Sequence, residues 1–192
     1  MSRSGIVALA AALTVAACAT LMPDGGPPRA PQHFDLSGRV LVSYEGRAFS
    51  SNLRWQHLAE RDEIWLLTPL GQAVGHIVSD ADGATFTGAD HKQYRAAGVE
   101  GLTRQALGWE LPLTRLQYWV RGEVVPDSTV QDVQRDDAGR LTGLAQNEWQ
   151  ISIARYPPDE HEGLPRRLEL RRGGDQTIRL VIDAWRRESA TP

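Results

Sequence analysis

Scarcity bounds this chain first: it has one cysteine, one lysine and no apolar run of membrane-spanning length. Cys18 has no partner within the chain, which excludes an internal disulfide framework. The apolar run from Gly5 to Thr14 falls short of the roughly 20 residues that a spanning helix needs. Lys92 is the sole lysine, and every other basic side chain except histidine is arginine, which reads as a genome composition effect. The formal net charge is −3, or −4 once Arg3 leaves with a leader (−3 − 1), so a general basic surface for nucleic acid is excluded. Catalytic signatures are also missing. His33, His57, His76, His91 and His161 form no HExxH motif and no ligand spacing with a cysteine, so no metal site is expected. There is no Gly-x-Ser-x-Gly elbow and no phosphate loop or dinucleotide fingerprint. The expectation is a protein that is not an enzyme and takes no cofactor. Asp80 with Asp82, and Asp136 with Asp137, fall in turn-like stretches, where aspartate is favoured for backbone reasons. They read as solvated residues, and His76 as a packed one.

What is present begins at the N-terminus. Arg3 lies in a short polar start, an apolar run follows, and Val15-Ala16-Ala17-Cys18 closes the segment. That is the order of a secretory leader. Cysteine directly after the small residues looks like a bacterial lipobox, with cleavage before Cys18 and acylation of Cys18. The alternatives are a buried cysteine, or an ordinary leader with an accidental one. Buried acyl chains hold a protein at roughly 0.8 kcal/mol per methylene. An aspartate after the cysteine would favour inner-membrane retention; Ala19 stands there, which favours the outer membrane. The expected organisation is a signal peptide over 1–17, an acylated N-terminus and Pro/Gly-rich linker over 18–33, one domain over 34–187 and a short tail over 188–192.

From Phe34 the hydrophobic period is two. Phe34, Leu36, Val40 and Val42 share one face with Gly38; Phe49, Ser51, Leu53 and Trp55 line the returning strand after a turn at Glu45-Gly46. Ile64 to Leu67 is apolar on both faces, and Val74, His76 and Val78 alternate before a hairpin turn at Asp82-Gly83. Strands are also expected at 84–88 and 91–95. Val99, Leu102, Ala106 and Leu107 take helical spacing with Gly108 as a stop, and a second helix runs from Pro112 to Gly122 with Leu113, Leu116 and Val120 as its stripe. Strands return over 129–135, 140–145, 149–155, 164–171 and 177–185. In the last, Ile178, Leu180 and Ile182 take one face, Val181 and Trp185 the other. Short strands and tight turns predict an antiparallel meander: a mainly β (α+β) fold, an open half-barrel with short helices covering an apolar cavity. Six tryptophans supply large apolar area for a core, a cavity or a membrane-facing surface.

One loop stands out. Pro69 and Gly71 force a break between two strands, with Leu70 at the tip. A leucine held in water forgoes about 1.5–3 kcal/mol of burial. Either it folds back onto the sheet, or it dips into a bilayer.

These pieces together resemble the LolB family of outer-membrane lipoprotein receptors. The resemblance rests on Phe34-Asp-Leu-Ser-Gly-Arg-Val40, Asn52-Leu-Arg-Trp55, Thr68-Pro-Leu-Gly71, Gly108-Trp-Glu-Leu-Pro-Leu113, Leu116-Gln-Tyr-Trp-Val-Arg-Gly122, Trp149 in its alternating strand and Leu164-Pro165, in that order behind the lipobox. It implies a LolA/LolB-like half-barrel of about eleven strands capped by helices. It also implies the periplasmic carrier LolA as partner, acylated lipoprotein as cargo and outer-membrane lipid as destination. The cargo's chains pass from the carrier into an apolar cavity and then into the outer membrane, without ATP. By motif match, Leu70 is the inserting residue, flanked by Pro69 and Gly71. Trp55, Leu66, Trp119, Trp149 and Trp185 are candidates for lining the cavity. The implied protein is a lipid-anchored monomer on the periplasmic side. Arg121, Arg166, Arg167 and Asp183 are exposed-charge candidates for docking.

Two other readings share these residues. One is a tethered lipocalin-like binder of a small hydrophobic ligand, which needs no membrane-probing loop. The other is a structural lipoprotein of an envelope assembly, which predicts a packed interior and a flat exposed apolar patch. An esterase would need a nucleophile–base pair that no motif proposes. A tightly filled interior with no recess would count against the receptor reading.

Overall fold

The computed structural model describes residues 33–154 and 164–186. The lipobox with Cys18, most of the linker and the tail lie outside the described residues. Eleven strands form one antiparallel sheet: β1 Phe34–Tyr44, β2 Arg47–Leu58, β3 Arg61–Leu67, β4 Ala73–Asp80, β5 Gly83–Gly88, β6 Gln93–Ala96, β7 Val130–Arg135, β8 Leu141–Gln146, β9 Trp149–Ala154, β10 Arg167–Arg172 and β11 Gln176–Arg186. The order across the sheet is β6-β5-β4-β3-β2-β1-β11-β10-β9-β8-β7, so each strand pairs with its sequence neighbour except where β1 meets β11. Helices α1 Val99–Leu107 and α2 Leu113–Trp119 connect the two outermost strands. The sheet is therefore open. One edge is a four-residue strand beside α1, and the other, β7, is irregularly registered and exposed, both of which blunt edge-to-edge pairing.

Alternation sets which face is inside. In β1 and β2, Phe34, Leu36, Val40, Val42, Leu53 and Trp55 are buried while their neighbours are not. One hydrophobic cluster takes side chains from both halves of the sheet and from both helices, which requires the sheet to curl around them. α1 ends as its sequence predicts, at Gly108 with φ 82°, whose amide donates to the Arg104 carbonyl. α2 stops at Trp119, earlier than Gly122, although Val120 is buried as expected.

Alternation holds in β4, and one expectation about faces, that for Trp185, needs correction. In β4 the buried pair is Gly75 and Ile77; Val74, His76 and Val78 take the opposite side. There His76 stacks on Trp65, its cross-strand partner, at 5.1 Å. Trp185 does not oppose Ile178, Leu180 and Ile182. The β1–β11 register shifts between Ser37 and Gly38, leaving Asp183 as the extra residue, so Trp185 pairs with Leu36 on the inner face. Its ring meets Phe34 edge-on at 5.8 Å. Gly38 permits the bulge, because a Cβ there would overlap the Val181 carbonyl oxygen.

Candidate functional site: an apolar concavity, its helical lid and a leucine-tipped loop

The inner face converges on one apolar recess. Leu53, Trp55, Ile64, Leu66, Ile178 and Leu180 form its floor, with Val40, Phe49 and Ile77 beside them. Leu107, Trp109, Leu111 and Leu116 form its roof, contributed by the two helices and the segment between them. The remaining void is about 40 Å³, far below the roughly 300–1,000 Å³ of a typical ligand pocket. The recess exists, but lid side chains occupy it. A second gap of about 120 Å³ shares Phe49, Leu107 and Trp109 with it and reaches Val42, Tyr44 and Arg47 at the end of the β1–β2 hairpin.

Polar side chains hold the lid down. Thr103, fully buried in α1, accepts the Leu111 amide at 2.9 Å through its hydroxyl oxygen and donates to the Glu100 carbonyl. Glu100 also accepts the Thr114 hydroxyl at 2.7 Å, tying α1 to the first turn of α2. Glu110 sits in the segment between the helices and pairs with Arg104 and with Arg172 of β10, the latter at 2.9 Å. Gln176, buried in β11, donates to the Glu110 carbonyl at 2.8 Å and accepts from Arg172 at 2.9 Å. Burial pushes the Glu110 carboxyl up, but the two guanidinium groups outweigh it and hold it below the usual carboxylate range. Gln146 pins the far end: its oxygen accepts the Trp119 indole at 3.0 Å and the Val125 amide at 3.1 Å, and its nitrogen donates to the Val125 carbonyl and Ser128 hydroxyl. All four of its hydrogen-bonding capacities are used.

The β3–β4 loop is built to stay extended. Thr68 accepts the Gly71 amide at 2.9 Å and donates its own amide to the Gln72 carbonyl at 2.8 Å, while its hydroxyl accepts the Gln72 amide. Gly71 takes φ 83°, which favours glycine. Leu70, at the tip of this closed turn, is 88% exposed and does not fold back.

The sequence-derived candidates divide. Trp55 and Leu66 line the recess. Trp119 lies deeper, bound to Gln146. Trp149 is buried beneath the Arg172 guanidinium, 5.0 Å from its ring centre. Trp185 is at the margin, donating to the Pro165 carbonyl. Pro69 and Gly71 flank Leu70 without reaching the recess. Among the charged candidates, Arg121 is not exposed: its side chain is 5% accessible, packed over Tyr118 and paired with Glu123. Arg166 donates to the Asp183 carbonyl, Asp183 pairs with Arg39, and Arg167 is exposed. Asp80 and Asp136 accept backbone amides in their turns. The roof residues Leu107, Trp109 and Leu111, with Glu110, Arg172 and Gln176, were not singled out as a site. The clue available was the motif Gly108–Leu113, an apolar and acidic stretch between two helices that propensity alone leaves as a loop. Among the described residues no group of three His, Cys, Asp or Glu could hold a metal, and no helix is long and apolar enough to cross a membrane.

Comparison with known proteins matches this geometry. The family profile described as "Outer membrane lipoprotein LolB" matches residues 32–185. The outer-membrane lipoprotein LolB of Nitrosomonas europaea is 41% identical over 163 residues, covering 83% of this chain and 76% of that protein. The LolB of Chromobacterium violaceum is 35% identical over 94% of this chain and 97% of its own. In fold, the chain is similar to a LolA superfamily protein of Nitrosomonas europaea (TM-score 0.52, 8% identity, 84% and 88% of the two chains). It is similar too to a DUF1329 family protein of Desulfovibrio piger (TM-score 0.53, 9% identity, 84% and 88%). A profile match along nearly the whole described domain, with close relatives bearing one name, establishes that the chain belongs to the LolB family of outer-membrane lipoproteins.

Proposed function

We propose that this protein receives lipoproteins from the periplasmic carrier LolA, shelters their acyl chains beneath its lid and inserts them into the outer membrane. Cys18 carries its own lipid anchor, which keeps it on the periplasmic side of that membrane as a monomer. The observation that carries the reading is the pairing of an apolar recess under a hydrogen-bonded lid with an exposed leucine on a rigid turn. A triacylated protein cannot cross water unaided, since its chains carry tens of methylenes at roughly 0.8 kcal/mol each. The acyl chains enter by displacing Trp109, Leu111 and Leu116, apolar surface replacing apolar surface, so no covalent step or ATP is required. Trp55 and Leu66 then contact the chains; Trp119, Trp149 and Trp185 brace the walls around them. Leu70, held out by Pro69 and Gly71, is the element that enters the bilayer.

The small void favours the second reading, a structural lipoprotein with a packed interior. That reading also asks for a flat apolar patch. Among the described residues the large exposed apolar side chains are Leu70, Val124 and Val133, apart in sequence, so the receptor reading fits better. The test is to mix the chain with carrier loaded with labelled lipoprotein. Transfer of label in the absence of nucleotide supports the receptor; retention on the carrier refutes it.

A further inference from the structure

A depression larger than the recess lies elsewhere on the described surface. It is a groove of about 1,000 Å³ on the opposite, outer face of the sheet. Thr68 and Pro69, at the base of the Leu70 turn, form one wall, so the loop borders this face. Two cross-strand rows make the floor. Register places Asn52, Arg39, Val181 and Arg167 in one row, and Ser50, Leu41, Arg179 and Glu169 in the next. Strands lie about 4.8 Å apart, so Arg39 and Arg167 stand roughly 10 Å from each other across Val181. Leu41 and Val181 are the apolar members of these rows, and Arg39, Arg167 and Arg179 stand beside them.

The charge is unbalanced in one direction. Arg39, Arg167 and Arg179 line the groove against Glu169, three cations to one anion, on a chain whose formal net charge is −3. Asp183 is matched by Arg39, and Glu169 by Arg171 and Arg179. Arg167 is exposed on the groove wall with its guanidinium free of any ion pair among the described residues. On the same face, Trp65 and Leu67 are partly exposed and lead along β3 into the Leu70 turn. Indole and guanidinium beside an apolar probe is the composition found where protein meets the headgroup layer of a membrane.

We propose that the outer-face groove binds anionic phospholipid headgroups, with Arg167 and Arg39 on the lipid phosphate while Leu70 enters the acyl layer. The inference rests on the membrane-inserting reading of Leu70 and extends it from one residue to a surface. It orients the protein with its outer face on the membrane and its recess directed away from that surface.

The test uses the anchored full chain reconstituted in vesicles of phosphatidylethanolamine with phosphatidylglycerol, and in phosphatidylcholine alone. Ser50→Cys places a thiol fluorophore in the groove and Leu70→Cys places one at the tip; the unsubstituted chain, whose sole cysteine is Cys18, supplies the labelling background. Spin-labelled headgroups should quench the Ser50 label in the anionic vesicles and acyl-chain spin labels should quench the Leu70 label. Arg167→Gln should weaken groove quenching about five-fold and Arg167→Glu about 25-fold, each lost charge near an anionic surface counting for about five-fold. High salt should act in the same direction. An unquenched groove label with a quenched tip label overturns the headgroup site and leaves the receptor reading standing. Quenching equal in both vesicle types and indifferent to Arg167→Glu also overturns it. If neither label is quenched, both fall.

Discussion

The lid can be loosened without touching the recess, and the size of the effect follows from its fastenings. Glu110 is 8% exposed and bonded through its carboxylate to Arg104 and Arg172 and through its carbonyl to Gln176. Glu110→Gln keeps the shape and the backbone bond but removes the charge that faces two guanidinium groups. Breaking a fully buried pair costs about 3–5 kcal/mol. Here the side chain of Arg172 is 26% exposed and that of Arg104 is 65% exposed, so solvent reduces the loss to about 1–3 kcal/mol. Roof burial itself does not enter the difference, because incoming acyl chains cover the same apolar surface that Trp109, Leu111 and Leu116 leave. The fastening lost is one that the closed lid has and the open lid lacks, so the open population should rise by about 5–150-fold. The assay is the rate at which a fluorescent fatty acid gains intensity on mixing, with thermal unfolding followed in parallel. Faster uptake with a lower Tm is expected. A lower Tm with an unchanged uptake rate would refute the argument, since the bonds would then stabilise the fold without gating the recess.

Leu70→Glu should leave Tm within about 1 °C, because an exposed tip makes no packing contact to lose; insertion of cargo into vesicles should fall by more than about ten-fold while cargo still leaves the carrier, and undiminished insertion removes Leu70 from the mechanism. Acid should loosen the lid. Glu110 titrates below its ordinary value, so its contribution is present above about pH 4.5 and lost as pH falls through the folded value; the Tm gap between the natural chain and Glu110→Gln should narrow as pH falls below about 4.5 and close once it has passed that folded value, and a gap that widens there contradicts the assignment. Gly38→Val should destabilise by about 2–4 kcal/mol in chemical denaturation, since its Cβ meets the Val181 carbonyl at the bulge. A loss below about 0.5 kcal/mol would mean the bulge can relax.

Legibility in the sequence followed the range of the interaction. Period-two alternation is local, and so the strands at 34–44, 149–154 and 176–186 and the turn at Asp82-Gly83 were readable within a residue or two. Leu70 was readable as a tip from Pro69 and Gly71 alone; whether it folded back depended on Thr68 closing the turn against Gly71 and Gln72, which three ordinary residues do not announce. The face of Trp185 was not readable. Counting by twos from Ile178 puts it outside, and only the extra residue at Asp183, which exists because Gly38 lies opposite on a distant strand, returns it to the inner side. Glu110 lies 62 residues from Arg172 and 66 from Gln176 along the chain, and no local pattern joins it to them.

That distribution has a consequence for how transfer can be directed. The features that make the recess apolar are written into alternation and are tolerant of exchange, since Leu53, Ile64 or Leu180 could each be another aliphatic residue without altering the pattern. The lid fastenings depend instead on a few polar groups meeting across the fold, and each is fully bonded in the closed form. A receptor that must bind tightly enough to take a chain and loosely enough to give it up cannot set both properties with the apolar lining, because every added methylene strengthens uptake and hinders release alike. It can set them with the lid, whose polar bonds weigh against occupancy without recognising the chain. The lining therefore defines which molecules enter, while Glu110 and Gln146 define how long they stay, and substitutions at these two classes of residue should separate affinity for hydrophobic chains from the rate of their release.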